Sequence, residues 1–126
     1  MTQEDKELLL KDLCAREPYH PRINVFNQGY EGFQDGEFDT DLWLHHIDAF
    51  RFARIEILPY LRSLSSMTEE EYKELDSLVP ECGSFVEHIG EAQEVIDWLN
   101  AHHFDYRGLI EKGLAIEVTE ENNPYD

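Results

Sequence analysis

The stretch that decides the fold runs from residue 91 to residue 115 and reads EAQEVIDWLNAHHFDYRGLIEKGLA. Its apolar side chains recur at the three- and four-residue spacing of one helical face: Ala92, Val95, Ile96, Leu99 and His103. The polar residues fall on the other faces: Glu91, Glu94, Asp97 and Asn100. The pattern predicts an amphipathic helix that must bury one stripe against another part of the chain.

A tight corner and a second short helix are predicted to follow. Asp105 suits the N-cap because its carboxylate can accept from the amides of the next turn, and the helix should begin at Tyr106. Gly113 fits the left-handed position after a helix, which glycine adopts at little cost. We expect Leu114 to contact Leu109 there, as in a Schellman cap. Because two short helices bury one stripe each, we expect a small sheet to supply the opposing surface.

The N-terminus carries another helix signal. Thr2, with Asp5 three residues later, approximates a capping box, and apolar residues then repeat at helical spacing: Leu9, Leu10, Leu13 and Cys14. The pattern predicts a helix over residues 3–15, which Pro18 and Pro21 prevent from continuing. Cys14 would then be a small buried hydrophobic side chain.

Residues 22–57 change to an extended pattern, which predicts a small antiparallel sheet. Ile23 and Val25 alternate with polar residues. Asp35-Gly36 is typical of a type I′ hairpin turn, here joining strands over residues 30–33 and 38–47. Residues 50–57 fit strand or helix, and their aromatic and β-branched content favours strand. Pro59 should end that element, leaving residues 60–66 as a connector.

The remaining signals are local. Thr68 with Glu71 forms a capping box, and Met67 with Tyr72 has the spacing of a hydrophobic staple. The helix that follows should carry three residues inward, Tyr72, Leu75 and Leu78, and stop by Val79. Residues 81–90 are predicted to be a loop, Ile116 and Val118 a short edge strand, and residues 120–126 a frayed tail.

Together these elements predict one α+β domain over residues 1–126, with the small antiparallel sheet packed against an N-terminal helix and a C-terminal helical segment. No apolar run approaches the length of a membrane span, and the acidic N-terminus is unlike a signal peptide, so we expect a cytoplasmic protein. Cys14 and Cys82 have no metal-binding spacing and should remain thiols there.

Charge is the compositional outlier, with a formal net charge of −18. Between Lys73 and Arg107 the chain has no basic side chain but eight carboxylates: Glu74, Asp76, Glu81, Glu87, Glu91, Glu94, Asp97 and Asp105. Such a field repels nucleic acid and anionic lipid and attracts basic surfaces. We therefore expect no direct nucleic-acid or membrane binding, and consider a basic protein surface as a partner.

Three strings resemble a family of small uncharacterised proteins from gut-bacterial genomes and their prophage-like elements. They are LLLKDLCAR at residues 8–16, the connector from PYLR at 59–62 to SSMTEEE at 65–71, and DWLNAHHFDYRGLIEKGL at 97–114. The resemblance covers about half of the chain. The family has an apolar residue where Glu17 stands and a proline where Ser63 stands. The resemblance implies a cytoplasmic, phage-linked protein and no known reaction, catalytic residue or cofactor.

The six histidines suggest an alternative, a small metal-dependent hydrolase that uses His and carboxylates. His102 and His103 adjoin on a predicted helix, and His45 and His46 adjoin in a predicted strand, so neither pair should chelate one ion. A site that combines His88 and Glu91 with a distant histidine stays open. No phosphate-binding loop, dinucleotide fingerprint or metalloprotease motif occurs.

The candidate interaction residues lie in the stretch quoted first: Glu91, Glu94, Asp97, Trp98, Tyr106 and Arg107. An exposed Trp98, Tyr106 and Arg107 would form a protein-binding hot spot of favoured residue types. In the structural alternative, Arg107 joins the two predicted helices through a charge-assisted bond to Asp97 or Asp105. The predicted function is a non-enzymatic acidic binding module, with the hydrolase as the alternative.

Overall fold

The computed structural model describes residues 2–78 and 93–125, and within them the fold is α+β, as predicted. The helices are α1 Gln3–Arg16, α2 Leu44–Arg51, α3 Glu69–Asp76 and α4 Gln93–Ala101. The strands are β1 Arg22–Asn27, β2 Gly36–Asp41, β3 Ile55–Ser63, β4 Phe104–Asp105 and β5 Ile116–Glu117. Two 3₁₀ helices cover Glu17–Tyr19 and Leu64–Ser66. No helix in this part of the chain combines the length and apolarity needed to cross a bilayer.

The sheet is mixed rather than purely antiparallel. Its order is β2-β1-β3-β4, with β5 also paired to β3. β1 pairs antiparallel with β2 and β3, placing Val25 opposite Phe38 and Ile57, whereas β4 and β5 run parallel to β3. The predicted sheet over residues 22–57 is thus extended by strands from the C-terminal segment.

The core formed by residues 2–78 and 93–125 has two apolar clusters. One joins α1 and α2 to the sheet through buried side chains that include Leu9, Leu13, Val25, Ile47 and Ile57. The other lies where α3 and α4 meet β4, and its buried members are Leu75, Val95, Trp98, Leu99 and Phe104. Both predicted helical ends therefore bury an apolar stripe, as expected.

Helix α1 follows its prediction at both ends but not on its buried face. Thr2 and Asp5 form the capping box, and the helix extends to Arg16. Its buried residues are Leu9, Asp12, Leu13 and Arg16. Cys14 is exposed, so the prediction that it is buried is wrong. The buried face is rotated because Asp12 and Arg16 satisfy each other inside the fold.

The region from residue 28 to residue 52 differs most from its prediction. Residues 30–33 form turns rather than a strand, β2 begins at Gly36 and pairs with β1, and residues 44–51 are helical. The predicted hairpin and the predicted strand beyond Asp41 are therefore wrong. Helix wins over strand here because a helix buries Ile47, Ala49 and Phe50 together. In the ambiguous segment 50–57 the favoured strand appears only from Ile55.

The prediction that Pro59 ends its element is also wrong, since β3 continues to Ser63. Pro59 pairs with Ile23, and this pair stands at one end of the ladder between β1 and β3. A proline has no amide hydrogen, so it is tolerated where a ladder ends. Beyond it, β3 pairs with β5 at Tyr60 and Leu61, and then with β4.

Helix α3 begins at its predicted capping box, where Thr68 and Glu71 exchange hydrogen bonds, and it ends at Asp76, before Val79. Leu75 is buried as expected, but Tyr72 is 46% exposed, so its predicted inward orientation is wrong. The predicted loop over residues 81–90 lies outside the described residues, as does Cys82.

The segment after α4 keeps the predicted caps without the predicted helix. Residues 109–113 form turns. Asp105 still accepts from three amides, those of Arg107, Leu109 and Ile110. Gly113 has φ 74°, and the amide of Leu114 donates to the carbonyl of Leu109 over 2.9 Å, as in a Schellman motif. Ile116 lies in β5, as predicted, but β5 ends at Glu117 and does not include Val118.

Candidate protein-interaction site

Helix α4 and the turn after β4 carry the predicted interaction residues. Glu94 is exposed and Asp97 half-buried on α4, whereas Tyr106 and Arg107 are half-buried in the turn. Glu91 lies outside the described residues, as does His88, so the combination of those two with a distant histidine, which the sequence left open, is not described either. The residues therefore divide into an acidic outer surface and an inner group.

Trp98 belongs to the inner group. It is 8% exposed, and its indole Nε1 donates to Glu74 Oε1 over 2.8 Å, which ties α4 to α3. The ring stacks on His102, with centroids 4.0 Å apart, and on Phe104 at 5.7 Å. The expectation of an exposed Trp98 is therefore wrong, because the indole is needed to close the second apolar cluster.

Arg107 and Tyr106 are held by a network that reaches across the fold to α1. Arg107 Nε donates to Asp12 Oδ1 over 3.1 Å, so the charged side chain is bound by Asp12 and not by Asp97 or Asp105; the bond to Asp105 is made by the backbone amide of Arg107. The Tyr106 hydroxyl donates to Asn100 Oδ1 over 2.8 Å. Its ring lies between two guanidinium groups, with the Arg16 and Arg107 carbons 5.2 and 4.9 Å from the ring centroid. These contacts give both residues a structural role.

Asp12 and Arg16 are the centre of that network, and sequence reasoning missed them. Both side chains have no exposed surface, and Arg16 Nε donates to Asp12 Oδ2 over 2.7 Å. Arg16 Nη2 donates to the carbonyl of Phe104 over 2.6 Å. The i, i+4 spacing was visible, but it is equally typical of an exposed helix pair. The pair is internal because Phe104 and Arg107, 88 and 95 residues further along the chain, pack against it in the fold.

The contact between α3, α4 and the end of β3 is charged. Arg62 donates to both carboxylate oxygens of Glu71 at 2.7 Å, and its guanidinium lies over the Phe104 ring at 4.2 Å. Arg62 therefore both pairs with a carboxylate and covers an apolar ring. These hydrogen bonds lower the pKa of the Glu71 carboxyl to about 2.

His102 sits between two carboxylates. Its Nδ1 lies 3.7 Å from Glu71 Oε2, and its Nε2 lies 3.9 Å from Glu74 Oε1. The two ring nitrogens point in opposite directions, so the carboxylates approach different atoms and do not share one ion. Within residues 2–78 and 93–125, no three His, Cys, Asp or Glu side chains are arranged to hold a metal.

His103 is the packed histidine of the pair, as expected. Its ring stacks on Tyr125 with centroids 3.9 Å apart, and burial lowers the pKa of its imidazole to about 4, assisted by the nearby Arg16 charge.

The Tyr125 hydroxyl donates to the carbonyl of Tyr60 over 2.7 Å and accepts from the amide of Arg22. The predicted frayed tail is therefore wrong at Tyr125. An aromatic residue in an otherwise polar tail was the available signal.

His45 and His46 lie in α2 and not in a strand, so the prediction that they face opposite sides of a sheet is wrong. Their ring centroids are 4.1 Å apart. His46 Nδ1 accepts from the amide of Trp43 over 3.0 Å at the start of the helix. Burial lowers the pKa of His46 to about 4, with a further contribution from His45.

Comparisons of the chain with protein-family models, with curated proteins and with solved structures found no match.

Proposed function

We propose that this protein is a non-enzymatic binding module whose acidic surface engages a basic surface of a partner protein. The observation that carries the proposal is the excess of carboxylates over cations among the exposed and half-buried side chains of α3 and α4. Apart from Glu71, which is paired with Arg62, their exposed or half-buried carboxylates are Glu69, Glu70, Glu74, Asp76, Glu94 and Asp97, which we call the acidic surface. The exposed cation beside them on these two described helices is Lys73.

The use of arginine supports the proposal. Arg16 and Arg107 are turned inward onto Asp12, and Arg62 is held by Glu71. Arg22 pairs with Asp41 on the sheet. Because these four arginines pair with Asp12, Glu71 and Asp41, they are not available to neutralise the six carboxylates of the acidic surface. A surface of this kind raises the rate of encounter with basic partners and weakens binding to nucleic acid and anionic membranes.

The resemblance in the sequence supports a narrower version. We propose that the partner is a basic protein of a bacterial host or its mobile elements, met in the cytoplasm. The metal-dependent hydrolase is the alternative. His102, which lies near Glu71 and Glu74, is the histidine that best fits this alternative. A stoichiometric divalent ion held by two or more histidines would favour the hydrolase over the binding module.

The test is affinity capture from bacterial lysate with the immobilised protein, at about 0.1 M and about 0.5 M salt, since exposed attraction is screened over that range. The variant Glu70→Gln/Glu94→Gln/Asp97→Asn removes three charges of the acidic surface. The matched variant Glu56→Gln/Glu120→Gln/Glu121→Gln removes three exposed charges elsewhere.

We expect a partner captured by the wild type and the matched variant, lost from the first variant and released by salt. Equal capture by all three proteins would contradict the proposal. Retention at high salt would instead indicate an apolar interface.

A further inference from the structure

A second candidate site lies in the N-terminal half of the chain, in the loop between β1 and β2. Asn27, which is 1% exposed, organises this loop. Its amide nitrogen donates to the carbonyls of Tyr30, Phe33 and Gln34, and its Oδ1 accepts from the amide of Tyr30 over 3.2 Å. Because the loop is already ordered, a ligand that binds to its side chains would lose little free energy to ordering the loop.

The loop and α2 line an open cavity of about 410 Å³ whose walls carry aromatic rings, the His45 imidazole, two carboxylates and the Arg54 guanidinium. Tyr30 and Phe33 come from the loop, with centroids 6.0 Å apart, and Phe52 comes from the end of α2. Glu31 and Asp48 add two carboxylates to the lining. Tyr30 is 40% and Phe52 68% exposed, which leaves apolar rings facing solvent.

A cation already occupies one wall. The guanidinium carbon of Arg54, which also lines the cavity, lies 5.4 Å from the centroid of the Tyr30 ring. Aromatic faces attract cations through their quadrupole, and rings combined with carboxylates are the usual surroundings of bound alkylated ammonium groups. The arrangement is therefore suited to positive charge with an apolar covering, and less suited to an anion, which the two carboxylates would repel.

We propose that this cavity binds an organic cation, with an alkylated ammonium or guanidinium head seated against Tyr30, Phe33 and Phe52. The two carboxylates stabilise its charge, and Arg54 is the internal cation that it displaces from the Tyr30 ring. This site does not depend on the acidic surface of α3 and α4, so either proposal can fail without the other.

The test is a titration of the protein with choline and with N-acetyl-arginine amide. Binding is measured by calorimetry and by changes in the amide chemical shifts of residues 30–54. The neutral comparison ligands are 3,3-dimethylbutanol and N-acetyl-citrulline amide, which keep the shape without the charge. We expect saturable binding in roughly the millimolar range for at least one cation. Equal binding of the cation and its neutral analogue would overturn the proposal.

Three variants sharpen the test. Phe52→Ala should weaken binding by roughly two- to thirtyfold, the range of a cation–ring contact. Leu44→Ala, also on α2 and 61% exposed, is the matched control and should leave binding unchanged. Arg54→Ala should strengthen binding, because it removes the competing cation. Weaker binding of the cation after Arg54→Ala would show that Arg54 supports the site and does not compete for it, and would overturn the proposal.

A further comparison identifies the source of the cation. A lysine-rich peptide with one trimethyllysine, tested against its unmodified form, reports on a protein-borne group, and choline reports on a free one. Preference for the modified peptide over choline assigns the site to a protein partner, whereas the reverse assigns it to a small molecule. Binding of neither cation nor peptide would refute the proposal.

Discussion

Asp12 and Arg16 form an ion pair with no exposed surface one helical turn apart in α1, with Arg16 Nε 2.7 Å from Asp12 Oδ2. The pair is completed from the far end of the chain, by Arg107 on the other oxygen of Asp12 and by the Phe104 carbonyl on Arg16. One helical turn near the N-terminus is thereby joined to the segment that follows α4. The pair matters for folding because neither charge can reach water if its partner is lost.

We expect Asp12→Ala to lower the free energy of unfolding by about 3–5 kcal/mol, since two guanidinium groups lose their shared carboxylate and Arg16 stays buried. Urea denaturation measures the change. The control is Asp41→Ala, which breaks the partly exposed pair with Arg22 and should cost about 1 kcal/mol or less. Similar losses for the two variants would refute an internal role for Asp12.

Asn27→Ala should cost about 1–3 kcal/mol because it leaves the loop carbonyls of Tyr30, Phe33 and Gln34 without their donor. Amide hydrogen exchange in residues 28–35 should accelerate more than exchange in β1. Asn24→Ala is the comparison, because Asn24 bonds the exposed carboxylates of Glu37 and Asp39. If exchange in the loop is unchanged, Asn27 does not organise it.

Stability should rise with pH between about pH 4 and pH 6.5. The folded-state pKa values of His46 and His103 are both about 4, below the unfolded value of 6.5. In that window the unfolded chain binds up to about two protons that the folded chain does not, so stability is fully present above pH 6.5 and falls as the pH drops. The stability contributed by Glu71 is lost at lower pH, between its unfolded pKa of 4.5 and its folded pKa of about 2, so the two windows overlap only between about pH 4 and pH 4.5.

The contribution of His103 can be isolated by His103→Asn, because asparagine tolerates the left-handed backbone at this position, where φ is 63°. Urea titrations at half-unit pH steps should give a shallower slope for the variant than for the wild type. Parallel pH dependences would show that His103 is protonated equally in both states.

Tyr125→Phe should cost about 1–2 kcal/mol, since it leaves the Tyr60 carbonyl and the Arg22 amide without their shared hydroxyl while keeping the stacked ring. Thermal denaturation and exchange of the Arg22 amide measure the effect. Tyr19→Phe, at a ring 37% exposed, is the control and should be neutral. A neutral Tyr125→Phe would mean that water replaces the hydroxyl.

Features fixed within a few residues were predicted well. The capping boxes at Thr2 and Thr68 and the left-handed Gly113 are present. Each of these features depends on hydrogen bonds between residues only three to five positions apart. The apolar stripe of α4 was predicted for the same reason. Residues 44–51 were not: residues 38–47 were predicted as strand and residues 50–57 were left open, whereas the helix depends on what lies opposite Ile47 and Phe50.

The candidate sites divide in the same way. The sequence by itself determined the excess of carboxylates and the helices that display them. Only the tertiary structure decided that Trp98 and Arg107 turn inward, that Asp12 and Arg16 are internal, and that Tyr30 and Phe52 line one cavity. The physical reason is range: caps and periodicity are satisfied locally, whereas burial of a charge or a ring depends on partners that the chain brings together only on folding.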